Sequence, residues 1–291
     1  MLTARILRGV ESRADAPLID IGCNAGTYTF YWAALKHFVY CVDLELLGGL
    51  SGAGAFSFST LKLNPDFLER ITLIPMGISA SSETLLTWAG GHNYAKVASL
   101  AEAKGVVVRT ATFLQLMGQV PEIFLTKIDV DGAEIGAIES ILAAQKAGRR
   151  VHNIIIELTP MWWASYGYTF DAAMALLEEL LATHDVYVSY WREASQLCCG
   201  NPHSTPLALD WGSAPLDFVQ KVDRSFFRSF LHQLAVEKAK HGQRDFWFRS
   251  RAQAPIRGLV DGVDLLPLRC EDISLYAHAS DASMPCARHH G

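Results

Sequence analysis

LIDIGCNAG, residues 18–26, is the stretch that decides the fold of this chain. The apolar residues at its start predict a short buried strand, and Gly22 and Gly26 predict a tight turn after it, because glycine adopts positive φ angles without steric cost. Phe30, Ala34 and Phe38 then recur at helical spacing. The stretch therefore predicts a strand, a glycine turn and a helix in immediate succession.

The same alternation continues outward from this unit. Further strand-like runs lie at residues 39–42, 71–76, 123–130, 153–158, 185–191 and 245–249. Strands that alternate with helices are typical of a parallel sheet covered on both faces. We predict an α/β fold with a doubly wound, seven-stranded, mainly parallel sheet, and a helical insertion before the last strand, marked by the apolar spacing from Phe218 to Leu234. We expect one domain over residues 1–250 and a poorly structured tail over residues 251–291.

Composition excludes several classes of protein. The formal net charge is −5, so no basic excess indicates a nucleic-acid partner. No apolar run reaches the roughly 18 residues that span a bilayer. The six cysteines form no CxxC pair and no zinc-ligand spacing. Cys23 and Cys41 fall in predicted core elements, where we expect free thiols, and this indicates a reducing compartment, the cytoplasm.

The glycine turn has the position of a ligand-binding turn. The helix that follows it offers unpaired N–H groups, which can receive a carboxylate. A dinucleotide fingerprint would require glycine at positions 22, 24 and 27, but these are Gly22, Asn24 and Thr27. A pyrophosphate-binding turn, and with it a nicotinamide dehydrogenase, is therefore disfavoured. The alternative is a glycine-rich turn that binds no ligand.

Asp43 follows the second predicted strand, about 20 residues after the turn. A carboxylate at this place in an α/β sheet can accept hydrogen bonds from both hydroxyls of a ribose. Glu45 is the second choice for this role. The alternative is a helix cap or a solvated loop residue.

The segment Lys127-Ile128-Asp129-Val130-Asp131-Gly132-Ala133-Glu134 places charged residues at the end of the fourth predicted strand. Ligands in open α/β sheets bind beyond the carboxyl ends of strands. In a continued strand Lys127, Asp129 and Asp131 would point to the same side. They either form a structural ion pair or serve chemistry. A divalent cation held by Asp129, Asp131 and Glu157 is a weaker alternative, because Lys127 competes for the same carboxylates.

Together these residues resemble the FkbM family of methyltransferases. The family pattern Asp-x-Gly-x-Asn-x-Gly is met by residues 20–26, and its pattern Lys-Ile-Asp-Val-Glu-Gly-Ala-Glu by residues 127–134, with Asp131 in place of Glu. The resemblance covers roughly residues 18–191. Leu114 departs from it, since the family usually has Asp there, and Asp43 lies in Val-Asp-Leu where Phe-Glu-Pro is usual.

The resemblance implies a Rossmann-like class I methyltransferase that transfers a methyl group from S-adenosylmethionine to a hydroxyl of a sugar or secondary metabolite. It implies that the cofactor is bound by Asp20, Gly22, Asn24, Gly26 and Asp43. Lys127, Asp129 and Asp131 are then the catalytic residues, with one aspartate as the base. No metal is expected, and the partner is a small-molecule or carbohydrate acceptor. A non-catalytic binding or scaffold protein that retains the fold is the alternative, because Leu114 lacks the family's carboxylate.

Two other features have weaker claims on the site. His92 lies in a loop near the expected mouth of the site and is a candidate base or sugar contact, but an exposed loop histidine is the ordinary finding. The aromatic residues of 161–168 follow the fifth predicted strand. They form either a wall against an acceptor sugar or ordinary core packing.

Overall fold

The computed structural model describes residues 6, 16–44, 46, 59–82, 85–88, 96–97, 106–189, 219–236 and 244–253. The strands of this part of the chain are β1 Leu18–Ile21, β2 Val39–Val42, β3 Ile71–Ile74, β4 Gly77–Ile78, β5 Leu85–Trp88, β6 Lys96–Val97, β7 Val106–Ala111, β8 Glu122–Ile128, β9 Arg150–Leu158, β10 His184–Ser189, β11 Val219–Val222 and β12 Arg244–Ser250. The helices with both ends among the described residues are α1 Thr27–Ala34, α2 Phe113–Met117, α3 Glu134–Lys146, α4 Phe170–Leu180 and α5 Arg224–Val236. Two 3-10 helices span Pro65–Phe67 and Pro160–Tyr166.

The central sheet has the strand order β3-β2-β1-β8-β9-β12-β10-β11. The first five of these strands pair in parallel, and β12, β10 and β11 join them through antiparallel pairings. The predicted fold class, a doubly wound and mainly parallel α/β sheet, is confirmed. The sheet has eight strands rather than seven, because β11 forms an edge strand where the apolar spacing had predicted the start of a helix. The helix of that segment begins only at Arg224.

A second, four-stranded sheet with the order β4-β7-β5-β6 was not predicted. It is built from strands of two to six residues between β3 and α2. Strands this short show too little alternation to be recognised in a sequence.

The fourth predicted strand ends earlier than the sequence indicated. Its last strand residue is Ile128, and not Val130. The chain turns because Asp131 and Gly132 adopt φ angles of 44° and 103°, which a strand cannot contain. The prediction that Asp131 continues the alternation of Lys127 and Asp129 is therefore wrong.

Helices cover both faces of the central sheet with apolar side chains. On one face α3, α4 and α5 pack against the strands through buried residues that include Ile138, Leu177 and Phe227. On the other face Trp32 of α1 packs among Leu18, Leu125 and Trp247. Both faces of the central sheet are therefore covered, as is usual for a mainly parallel sheet.

Cys23 and Cys41 are joined by a disulfide bond, with Cα atoms 5.6 Å apart. Both residues are buried, as predicted, but the expectation that they are free thiols is wrong. The inference of a reducing compartment depended on free thiols and loses this support. Among the described residues, no helix has the length and apolar character needed to cross a membrane.

Several predictions fall outside the described residues. These are the tail from residue 254 onward, most of the insertion between β10 and β12, His92 and Glu45.

Candidate functional site

The carboxyl ends of β1, β2, β8 and β9 meet at one edge of the sheet. These strands lie side by side in the order β2-β1-β8-β9 and pair in parallel. Asp20 of β1 lies opposite Lys127 of β8, and Lys127 lies opposite Ile155 of β9. The glycine turn follows β1, Asp43 follows β2, and Asp129 follows β8. The structure therefore brings the candidate site residues to a common edge, as the sequence predicted.

Backbone hydrogen bonds, one of them to the neighbouring strand β2, fix the turn after β1. Gly22, Asn24 and Gly26 have φ angles of 74°, 47° and 82°. The Gly22 N–H donates to the carbonyl of Val42 at 2.8 Å, and the Gly26 N–H donates to the carbonyl of Cys23 at 2.7 Å. A turn with three left-handed residues favours glycine and asparagine, which are the residues present.

Gly22 is required by the protein itself. A Cβ atom at this position would lie 1.8 Å from the carbonyl oxygen of Asp129, far inside van der Waals contact. The end of β8 therefore approaches this glycine closely, and a larger residue at position 22 would disturb the turn with or without a ligand.

Asp43 joins the end of β2 to the turn. Its Oδ2 atom accepts a hydrogen bond of 2.7 Å from the backbone N–H of Asn24, and its own N–H donates to the carbonyl of Ile74 at 3.1 Å. The residue is half-buried. Its position next to the turn is the one that the ribose prediction needs, and the ribose contact stays a prediction.

Lys127 occupies the centre of a buried charge cluster beneath the turn. Its Nζ lies 3.5 Å from Asp20 Oδ1 and 3.2 Å from Asp129 Oδ2, and it donates to the carbonyl of Gly22 at 3.2 Å. It also lies 5.1 Å from the ring centroid of Tyr28, within the range of a cation–π contact. Lys127 thus pairs with an aspartate of its own motif, Asp129, and Asp20 is a second partner that the sequence did not reveal.

The surrounding carboxylates keep Lys127 charged. Burial opposes the charged form, but Asp20 and then Asp129 raise the pKa of Lys127 above its ordinary value. At neutral pH its Nζ is an ammonium group and cannot accept a proton. Within the candidate site it can only donate hydrogen bonds and compensate negative charge.

Asp20 is fully buried and contacts protein groups. Its Oδ2 accepts a hydrogen bond of 2.6 Å from the hydroxyl of Thr29 in α1, and its Oδ1 faces Lys127. Asp20 thus ties β1 to α1 and to β8 below the turn. Its predicted contribution to cofactor binding would act through the shape of the turn.

Asp129 and Asp131 lie at increasing distance from the core. The side chain of Lys127 is 9% exposed and that of Asp129 is 42% exposed, and Asp131 lies exposed in the following turn. The catalytic roles of the three residues stay predictions.

Glu134 is a buried carboxylate whose importance the sequence did not reveal. It opens α3 and is 0% exposed. Its Oε1 accepts hydrogen bonds from the Gly132 N–H at 2.6 Å and the Thr159 hydroxyl at 2.5 Å, and its Oε2 accepts one from Trp163 Nε1 at 3.0 Å. It therefore joins the turn that carries Asp131 to the residues that follow β9.

Burial raises the pKa of Glu134 to about 7, and the hydrogen bonds from Thr159, Gly132 and Trp163 limit the rise. Two sequence signals could have identified Glu134. One is its place in the second motif, three residues after Asp131, and the other is the hydroxyl of Thr159 directly after the next strand. Neither signal reveals burial.

The other residues that the sequence analysis singled out pack in the core, bind a neighbouring side chain or lie at the surface. Trp163 is 1% exposed and stacks on Phe170 at 6.0 Å between centroids, which is core packing. The Tyr168 hydroxyl donates to Glu139 at 2.6 Å. Leu114 is exposed on α2. Within the part of the chain that the structure describes, no three His, Cys, Asp or Glu residues are grouped so that they could hold a metal ion.

No known family model matches this sequence, and no curated protein matches it significantly. Solved structures with similar folds include methyltransferase FkbM from Methylobacillus flagellatus KT, at 12% identity and a TM-score of 0.34 over 49% of this chain and 32% of that one. Precorrin-6y C5,15-methyltransferase from Geobacter metallireducens GS-15 aligns at 10% identity and a TM-score of 0.38, over 85% and 87% of the two chains. The bifunctional kinase-methyltransferase WbdD aligns at 12% identity and a TM-score of 0.42, over 88% of this chain and 39% of that one.

The chain thus spans only about a third of the length of the FkbM protein and about two fifths of WbdD. These identities and TM-scores are too low to support an argument about function. Any functional conclusion depends on the residues of the site.

Proposed function

We propose that this protein is an S-adenosylmethionine-dependent methyltransferase that methylates a hydroxyl of a small-molecule or carbohydrate acceptor, as the FkbM-like motifs imply. One observation carries the proposal. The backbone of the glycine turn and the Asp43 carboxylate are in direct contact at 2.7 Å, next to the Lys127–Asp129 pair at the same edge of a parallel sheet. Such an edge is where ligands bind in open α/β sheets.

The residues present fit the cofactor chemically. The first N–H groups of α1 have no partner within the helix, and they follow the turn, so a methionine carboxylate can bind there. Asp43 is half-buried beside the turn and can accept hydrogen bonds from ribose hydroxyls. Gly22, Asn24 and Gly26 hold the backbone in the required shape, and Asp20 supports that shape from below.

S-adenosylmethionine supplies a methyl group that its sulfonium already makes electrophilic. The chain must then align the acceptor oxygen and receive one proton. Asp129, which is partly exposed and held by Lys127, can accept the hydrogen bond of the acceptor hydroxyl and orient it. Asp131, further out, is the second candidate for this contact. Lys127 cannot be the base because it stays protonated, so its part is to fix Asp129.

Two measurements test the proposal. Calorimetric titration with S-adenosylhomocysteine should show binding by the wild-type protein. Transfer of a labelled methyl group to a panel of sugars and hydroxylated metabolites should then identify an acceptor. Absence of S-adenosylhomocysteine binding would refute the proposal, and binding without transfer to any hydroxyl would favour the non-catalytic alternative.

A further inference from the structure

The Cys23–Cys41 disulfide connects the two parts of the proposed cofactor site. Cys23 lies between Gly22 and Asn24 in the turn, and Cys41 lies two residues before Asp43 on β2. The bond is therefore a second connection between the turn and the end of β2, in addition to the hydrogen bond from the Asn24 N–H to the Asp43 carboxylate. Any change at the sulfur atoms occurs within two residues of this contact.

The fold does not need this bond to hold the strands together. β1 and β2 already pair over all four residues of each strand, and the Gly22 N–H binds the Val42 carbonyl. Both cysteines lie in an apolar cluster with Ala33, Leu61 and Ile71. Two thiols are small and apolar enough to remain in such a cluster. What the covalent bond adds is a fixed distance between the turn and β2.

We infer that Cys23 and Cys41 form a reversible thiol–disulfide site that regulates cofactor binding, with the oxidised protein binding more tightly. The inference rests on the proposed function. Two thiol sulfurs cannot remain at bonding distance, so reduction must separate the two side chains. Cys23 is part of the turn, and its carbonyl accepts the Gly26 N–H at 2.7 Å. Reduction therefore removes a covalent restraint from the backbone that would hold the cofactor.

The chemistry requires a dithiol reductant. Its thiolate attacks one protein sulfur, the Cys23–Cys41 bond breaks, and a mixed disulfide forms with the reductant. The second thiol of the reductant then closes its own disulfide and releases the second cysteine. In total two electrons and two protons pass to the protein, which gains two thiols.

Access to the sulfurs adds a second consequence. Cys23 is 4% exposed and Cys41 is 0% exposed, so the reductant can reach the bond only when the turn opens. A ligand that holds the turn closed should slow this attack. Because coupling between two equilibria is reciprocal, tighter binding by the oxidised form means that bound ligand also stabilises the disulfide.

The test compares the two redox states of the full chain. The wild-type protein is oxidised in air or reduced with dithiothreitol, and alkylation followed by peptide mass spectrometry identifies the state of this pair. Titration with S-adenosylhomocysteine should give a Kd about tenfold higher for the reduced protein, which is within the usual range of coupling between linked sites. Bound S-adenosylhomocysteine should slow reduction of the pair.

The double variant Cys23→Ala, Cys41→Ala is the matched control. It should bind like the reduced wild-type protein and show no response to dithiothreitol. Equal affinity of the two wild-type states would overturn the inference, and so would a response to dithiothreitol in the double variant or a pair that cannot be oxidised. If the variant does not fold, the wild-type comparison decides alone. Absence of binding in both states would refute the proposed function as well, which distinguishes the two failures.

Discussion

Replacing Glu134 by glutamine should change the pH dependence of stability. The wild-type carboxyl has a pKa of about 7 in the folded protein, against an ordinary value of 4.5. This difference corresponds to about 3 kcal/mol. The fold favours the uncharged carboxyl, so the stabilisation that it provides is complete below about pH 4.5 and is lost as the pH rises through about 7.

The glutamine variant does not titrate at this position. Its amide oxygen can still accept from Gly132 and Thr159, but its amide nitrogen cannot accept from Trp163, which leaves a buried indole donor unpaired. This loss costs about 1–3 kcal/mol at every pH. The free energy of unfolding of the wild type minus that of the variant should therefore decrease by about 3 kcal/mol between about pH 4.5 and pH 7, and then stay constant.

Urea unfolding of both proteins at a series of pH values measures this difference directly. Glu139→Gln is the matched control, because Glu139 lies on the same helix and accepts a hydrogen bond from the Tyr168 hydroxyl. It shows how much of any change comes from exchanging a carboxylate for an amide. A difference that is constant with pH would refute the reasoning, and one that grows with pH would show that the fold favours the carboxylate.

Three further predictions concern the charged residues of the site. Asp43→Ala should weaken binding of S-adenosylhomocysteine by roughly 1–3 kcal/mol in a calorimetric titration, and unchanged affinity would exclude Asp43 from the cofactor site. Asp129→Asn should leave that affinity nearly intact and slow single-turnover methyl transfer about a hundredfold; if Asp129→Asn and Asp131→Asn both react normally, the cluster is a structural ion pair. Lys127→Met should lower the free energy of unfolding by about 3–5 kcal/mol, because it leaves the buried Asp20 without its cation. Adding Asp20→Asn should recover part of the loss, and a purely additive double variant would contradict the pairing.

The sequence predicted the architecture around the first motif well. The bounds of β1 and β2 agree with the predicted ones, because a short apolar run before a glycine turn leaves few alternatives. The strand after them shows the limit of this reasoning. Its apolar pattern continues to Met76, but the strand ends at Ile74. Strand ends depend on where neighbouring strands stop, and the apolar pattern does not record this.

The sequence predicted which charged residues lie at this edge of the sheet, but it did not predict their contacts. Lys127 was expected to pair with an aspartate of its own motif, and it also pairs with Asp20 because the two residues face each other in register across β1 and β8. The sequence carries no direct record of register between strands so distant in the chain. The same reason hid the partners of Glu134, since Thr159 and Trp163 follow a different strand.

The contact between Gly22 and the Asp129 carbonyl has a consequence for how such motifs are interpreted. A glycine that a neighbouring backbone requires will persist in any chain with this arrangement of strands, including one that has lost its ligand and its activity. Comparison of related sequences at position 22 would then report on the fold alone. Loss of activity in a descendant would appear first at Asp43 and Asp129, whose side chains the strand packing leaves partly exposed.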